Sequence, residues 1–350
     1  MAGPAIGLDI GTSALRAAQV SRTRGGYSLG SFAQIALPTG AVADGEIRDA
    51  GAVSQAISQL WKRARLKSKS AVIGLANQRV VVRQVDFPYM EEKEFRASFR
   101  FQVADQIPMP VDTAELDFQT IGDFTNEAGE HMMRVLLVAA ASDMVESFVS
   151  TVSAAGIEPA GVDLTPFAVA RAVSAAARGE QGLAGSEAVI DVGAGVTNIL
   201  VHHNGEPRFV RILLVGGDDA TTALSGDLGI PFEQAEAMKL DLGRGYGSAD
   251  AQRVLETRVG TLVEEIRGSL DYYLSQEDSE PIASVIVTGG GSLTPGLMGR
   301  LEQTLRTSVR RAVPLSEMDV AKSGLTREQL TQVEPVVAAA IGLAMGATTK

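Results

Sequence analysis

At the start of the chain, apolar residues come in short runs separated by glycine turns. Residues 6–10 form one run, and Gly11-Thr12-Ser13 turns it. Residues 15–20 form a second run, Gly25-Gly26 is a hairpin turn, and residues 27–37 form a third. Three strands joined by tight turns make a meander. Over residues 49–64 the period changes, and Val53, Ile57, Leu60 and Trp61 recur at helical spacing. Residues 70–75 return to strand length.

Residues 78–155 read differently. Residues 80–85 make a strand closed by Asp86-Phe87-Pro88, and 91–106 a charged amphipathic helix stopped by Pro108 and Pro110. Residues 114–121 alternate as a strand, 126–130 are a polar turn, 132–141 are a buried strand, and 143–155 are a helix ended by Gly156. Such a strand–helix–strand–strand–helix unit has the size of a separate subdomain. Residues 157–163 return as a strand and 165–177 as an Ala-rich helix with Pro166 in its first turn. Residues 179–186 are Gly-rich and small, the composition of a hinge. A second strand series follows at 187–192, 196–202 and 207–214, then helices at 219–228, 231–239 and 250–275. Residues 284–288 are a buried strand running into Gly289-Gly290-Gly291, and a helix at 334–345 closes the series.

Two strand series ask for two cores, and 350 residues are long enough to supply them. With 45% apolar and 21% charged residues, the chain is an ordinary globular one. The absence of cysteine excludes thiolate metal sites and a cysteine nucleophile, and fits a reducing cytoplasm. Only three histidines are present, which argues against a His-rich metal centre. A net charge of −11 runs against nucleic-acid binding, which needs a basic face. The opening residues lack a signal peptide's basic and apolar segments. No apolar run reaches the roughly 20 residues of a membrane span. A soluble chain is expected, reaching a membrane only through a partner.

The strongest chemical signal is an internal repeat. Ile6-Gly7-Leu8-Asp9-Ile10-Gly11-Thr12-Ser13 is echoed about 180 residues later by Val189-Ile190-Asp191-Val192-Gly193-Ala194-Gly195. Asp9 matches Asp191, Gly11 matches Gly193, and Ser13 matches Gly195. A Gly-rich hairpin turn points successive backbone N–H groups into one concavity, which suits phosphate oxygens. An aspartate beside phosphate would repel it, so its sensible role is to hold a hydrated Mg2+ that the phosphates also bind. One D-x-G turn alone is an ordinary hairpin, whereas two facing each other would clamp a triphosphate. Gly289-Gly290-Gly291-Ser292 after a buried strand offers a backbone surface for a flat ring. Glu236 and Lys239 share one side of a helix, where alone they read as a surface ion pair.

In this order the two Asp-Gly hairpins, the A-E-x-x-K helix and the GGGS loop resemble the actin/Hsp70/hexokinase ATPase superfamily. The resemblance implies an α/β, actin-like (ribonuclease H-like) two-domain ATPase fold binding ATP and Mg2+. It implies that Asp9 and Asp191 sit at the metal and that Gly11, Thr12, Ser13, Gly193, Ala194 and Gly195 contact phosphates. Gly216 and Gly217 resemble a turn near the nucleotide. Glu236, Lys239 and Gly289, Gly290, Gly291 and Ser292 would surround adenosine and ribose. Asp163, with Asp9 and Asp191, is the catalytic expectation, near the attacking water.

The inserted unit resembles that of the FtsA and PilM families. Several stretches are similar to the PilM family of type IV pilus assembly proteins: Val82-Arg83-Gln84-Val85-Asp86-Phe87-Pro88, Ala104-Asp105-Gln106-Ile107-Pro108, Asp117-Phe118-Gln119 and above all Gly156-Ile157-Glu158-Pro159 with Val162-Asp163-Leu164-Thr165-Pro166-Phe167. The final residues carry no basic amphipathic extension of the FtsA kind, which favours PilM. On this resemblance residues 1–78 and 157–184 form the first half, 79–156 the FtsA-type inserted subdomain, and 185–350 the second half. It further implies a cytoplasmic scaffold, peripheral to the inner membrane, that binds the N-terminal peptide of a PilN-like protein. PilO, the assembly ATPase and self-association enter indirectly. The expected groove has walls at residues 80–85, the 95–101 helix face and 137–140. The alternatives are an FtsA-like division protein, or a kinase or ATPase of the same superfamily. With no dedicated base for a second substrate, at most slow ATP hydrolysis is expected.

Overall fold

A computed structural model describes residues 3–174 and 185–348. Most of the expected hinge at 179–186, and the end of the helix expected at 165–177, lie outside these residues. Two sheets of similar design form the frame. In the first, Ala5–Ile10, Ala14–Thr23 and Gly26–Ala36 make the antiparallel meander, and Ser70–Leu75 and Glu158–Leu164 add parallel strands beyond Ala5–Ile10. In the second, Ser186–Val192, Thr197–His203 and Glu206–Leu213 make the meander, and Ile282–Thr288 and Ser308–Arg311 add the parallel strands. The internal repeat in the sequence is thus a repeat of topology.

Each sheet has its own apolar core. Leu8, Leu15, Ile57, Leu60 and Ile73 are fully buried in the first, and Ile190, Ile199, Val263, Ile266 and Val285 in the second. The helix Ala50–Ala64 starts where the Asp49 side chain accepts the Ala52 N–H, and it buries Val53, Ile57, Leu60 and Trp61.

The inserted segment forms a three-stranded sheet in the order Val80–Pro88, His131–Ala141, Ala114–Thr125, backed by the helix Glu92–Gln102. Three boundaries differ from expectation, and the strand expected at 114–121 runs on to Thr125. The first strand runs on through Pro88, which pairs with Met132 from the sheet edge, where a missing N–H costs little. The helix stops at Gln102 rather than 106, because Val103 and Ile107 turn under it into the core around Phe95 and Phe99. Those two phenylalanines are buried, so they cannot wall a groove as expected; Phe101, 84% exposed, is the ring of that face that points out.

The C-terminal region departs most from expectation. Instead of one helix over 334–345 there is a helix Arg327–Val333, a tight turn Glu334–Val336 and a helix Ala338–Thr348, bent by 84°. The break occurs where the Pro335 carbonyl accepts the Gly289 N–H at 2.8 Å. Residues 318–348, assigned to the second half, return to the first. Met318 pairs with Tyr27, and Ile341 and Ala344 pack with Ala18 and Val20. Gly7 and Gly342 permit this return, since an added Cβ would lie 2.1 Å from the Ala340 oxygen and 1.8 Å from the Ala168 oxygen respectively. Among the described residues no single helix is long and apolar enough to cross a membrane.

Candidate functional site

The two meander turns face each other across a cleft. Gly11 N–H donates to the Ala14 carbonyl at 3.1 Å and Gly193 N–H to the Val196 carbonyl at 2.8 Å, so both hairpins close in the same way. A Cβ on Gly193 would come 2.7 Å from that carbonyl, so glycine is required there. The hairpins also touch: a Cβ on Gly195 would sit 3.0 Å from Thr12 Oγ1.

Strand register gives each aspartate a partner seven residues on. Asp9 lies opposite Arg16, and Arg16 Nη1 donates to Asp9 Oδ2 at 3.1 Å. Asp191 lies opposite Asn198, and Asn198 Nδ2 donates to Asp191 Oδ2 at 3.0 Å. Burial pushes the Asp191 carboxyl up to about 6; the Asn198 hydrogen bond opposes this, Asp9 adds to it and Arg16 opposes it. Burial also raises Asp9, against the pull of Arg16. Two carboxylates raised by burial, Asp9 adding to the rise at Asp191, make a place where a cation is welcome.

The residues fit a phosphate with a hard divalent ion. Arg16 Nε and Asn198 Oδ1 are buried without a protein partner, one a donor and the other an acceptor. Among the described residues no three His, Asp or Glu side chains gather to hold a metal. An ion here would therefore draw its remaining ligands from water and phosphate.

Two glycine loops, Gly216-Gly217 and Gly289-Gly290-Gly291, stack beside the second hairpin. Gly217 N–H donates to the Gly193 carbonyl at 3.0 Å and Asp218 N–H to the Ala194 carbonyl at 2.8 Å. A Cβ on Gly216 would lie 2.3 Å from the Ala194 oxygen, and one on Gly291 would lie 2.6 Å from the Gly193 oxygen. Gly289 takes a φ of +86°. Lys239 is 5% exposed, and its ammonium donates to the Thr221 hydroxyl at 2.7 Å and the Gly217 carbonyl at 3.0 Å while pairing with Glu236 at 2.7 Å. It pins the helix Phe232–Leu242 to the helix Gly217–Leu228 and is no surface ion pair. Burial raises the Asp218 carboxyl, opposed by Lys239.

Asp9, Gly11, Thr12, Ser13, Asp191, Gly193, Ala194, Gly217, Glu236, Lys239, Gly289, Gly290 and Gly291 all line this one cleft. Gly195, Gly216 and Ser292 stand behind its wall: Gly195 against Thr12, Gly216 against Ala194, and Ser292 buried with its N–H on the Gly289 carbonyl. Asp163 does not line it; Asp163 Oδ2 accepts from Arg171 at 3.0 Å and Oδ1 from the Leu164 N–H at 2.8 Å. Arg16, Asn198, Asp218, Thr165 and the Pro335 turn also line the cleft and were not anticipated. For Arg16 and Asn198 the signal was available, because hairpin closure sets each opposite its aspartate.

A second, more open groove lies where three parts meet. Gln119 and Leu136 come from the inserted sheet, Phe167 and Ala170 from the helix Thr165–Val173, and Leu200 and Pro207 from the second sheet.

A family model described as type IV pilus assembly protein PilM matches residues 7–348. A solved structure described as a PilM-PilN type IV pilus biogenesis complex aligns with a TM-score of 0.86, at 28% identity over 98% of each chain. Cell division protein FtsA of Streptococcus pneumoniae serotype 2 is 26% identical, over 88% of this chain and 75% of that protein. MreB5 of Spiroplasma citri bound to ADP aligns with a TM-score of 0.52 at 12% identity, over 94% of this chain and 95% of that one, a likeness of fold alone. The expected actin-like α/β architecture is thereby met.

Proposed function

The chain belongs to the PilM family of type IV pilus assembly proteins, and from that membership we propose that it is a nucleotide-regulated scaffold. ATP lies in the cleft, its phosphates between the two hairpins and its adenosine against Gly289, Gly290, Gly291 and Glu236. Asp191 and Asp9 are the carboxylates available to a hydrated Mg2+, which would neutralise phosphate charge. The observation that carries this reading is the contact of Thr12 with Gly195, which brings the two halves' phosphate turns together. A ligand bound to both turns holds the halves closed.

The partner is the N-terminal peptide of a PilN-like membrane protein, and its seat is the groove at Leu136, Phe167 and Ala170. The solved PilM-PilN complex of a similar protein supports the choice of partner. Leu200 and Pro207 of the second sheet also line the groove, so closing the halves reshapes it. The peptide holds the chain at the cytoplasmic face of the inner membrane and links it indirectly to PilO and the assembly ATPase; self-association belongs to the same reading. Holding is favoured over turnover because the Asp163 carboxylate is committed to Arg171 and the Leu164 N–H.

The test is nucleotide binding and ATP hydrolysis with and without the peptide. Binding without fast turnover, lost in Asp191→Ala and Gly193→Val, supports the reading. Fast multiple turnover without the peptide refutes the scaffold, and unchanged binding by both variants refutes the cleft.

A further inference from the structure

The two hairpins are alike in closure, register and aspartate, and differ in the residue that pairs with that aspartate. Opposite Asp191 stands a neutral amide, and opposite Asp9 a guanidinium. The Arg16 and Asp9 side chains are only 15% and 13% exposed, so this ion pair is weakly screened by water. Glycine at position 11 leaves the guanidinium room, since a Cβ there would lie 3.3 Å from Arg16 Nη1. The other lysine or arginine lining the cleft, Lys239, is held by Glu236, Thr221 and Gly217.

Without Arg16 the cleft would offer three hard oxygen donors: the Asp9 and Asp191 carboxylates and Asn198 Oδ1. Asn198 is 4% exposed, and that oxygen has no protein partner. Such a set suits a divalent cation. With Arg16 in place, one carboxylate is already neutralised, and a positive charge sits beside the position an ion would take.

We propose that Arg16 gates metal entry: seated on Asp9, it keeps divalent ions out of the nucleotide-free cleft, so metal enters only together with phosphate. This rests on the nucleotide reading for its purpose, but not for its test. An incoming phosphate supplies the anionic partner for which the guanidinium exchanges Asp9, and Arg16 Nε is a donor still free to meet it. The chain would thus distinguish a metal-bound nucleotide from free metal by one side chain.

The test is Mn2+ binding to the full nucleotide-free chain, read from loss of the free-ion electron paramagnetic resonance signal. Wild type should bind no Mn2+ at the cleft up to about 1 mM. Arg16→Gln should create one site at least about tenfold tighter than any wild-type site, because a repelling charge is removed. Adding Asp191→Asn should abolish that site, and Arg16→Lys, which keeps the charge, should bind no ion. If Arg16→Gln loses its cooperative melt, Arg16→Met, with a stem of similar reach, takes its place. Equal Mn2+ affinity in wild type and the uncharged variants overturns the gate, as does no binding by either uncharged variant. A parallel titration with ATP and Mg2+ separates the claims. Nucleotide binding without the Mn2+ contrast sinks only the gate, and the contrast without nucleotide binding sinks only the nucleotide reading.

Discussion

Thr12 lies so close to the Gly195 backbone that a single added Cβ would come 3.0 Å from its hydroxyl oxygen. The contact joins a turn of the first sheet to a turn of the second, so it measures how closely the two turns proposed to hold phosphate approach. Gly195→Val should push them apart. Nucleotide affinity should fall at least about tenfold, in line with the cost of misplacing a binding group. The melting temperature of the nucleotide-free chain should barely move. Fluorescent-nucleotide titration beside a thermal melt checks both.

Gly342 is one of the two glycines that let the C-terminal helix return to the first half, and it brings that helix against the helix Thr165–Val173. Gly342→Ala would place a carbon 1.8 Å from the Ala168 carbonyl oxygen. That contact is with backbone, which cannot rotate away. A loss of about 3 kcal/mol in stability is expected, at the upper end for overpacking. Urea unfolding reads it as a lower midpoint at an unchanged slope.

Stability of the metal-free, nucleotide-free chain should depend on Asp191. Its carboxyl is raised from 3.8 to about 6 in the folded state. Between those values the folded chain keeps a proton that the unfolded chain has released. The stabilisation is therefore full below about pH 4 and lost as pH rises through 6. Water in the cleft screens part of the effect, leaving about 2 kcal/mol. Asp9 is raised with the same sign. Asp191→Asn should flatten the pH profile of the urea midpoint between pH 4 and 7, whereas a profile as steep as wild type would remove Asp191 as its source.

Much of this architecture was legible because it is written in local chemistry. Asp9 with Gly11, and Asp191 with Gly193, announce their turns, since hairpin closure and phosphate binding ask for the same glycines. The C-terminal break was not legible. It depends on Pro335 offering its carbonyl to Gly289, which is distant in sequence. The Phe95 face misled because amphipathic spacing says that a face is buried, not against what. Lys239 looked like a surface residue until Thr221 and Gly217, from another helix, enclosed it.

The partner groove can be separated from the cleft by one charge. Ala170 sits partly exposed on the helix Thr165–Val173 and lines the groove but not the cleft. Ala170→Glu keeps a good helix former and places a carboxylate among Leu136, Phe167 and Leu200. Peptide affinity should drop at least about tenfold. Nucleotide affinity should stay within about twofold of wild type, since no cleft contact is touched. Calorimetric titration of each ligand distinguishes this from general unfolding, which would lose both.

On the proposed reading, nucleotide in the cleft sets the grip on the partner. Titrating the PilN-like N-terminal peptide into the chain, with and without saturating ATP and Mg2+, tests it directly. Saturable binding is expected in both cases, tightened at least about fivefold by nucleotide, the lower range of ordinary coupling between sites. Equal peptide affinity in the two titrations, with nucleotide demonstrably bound, would contradict it.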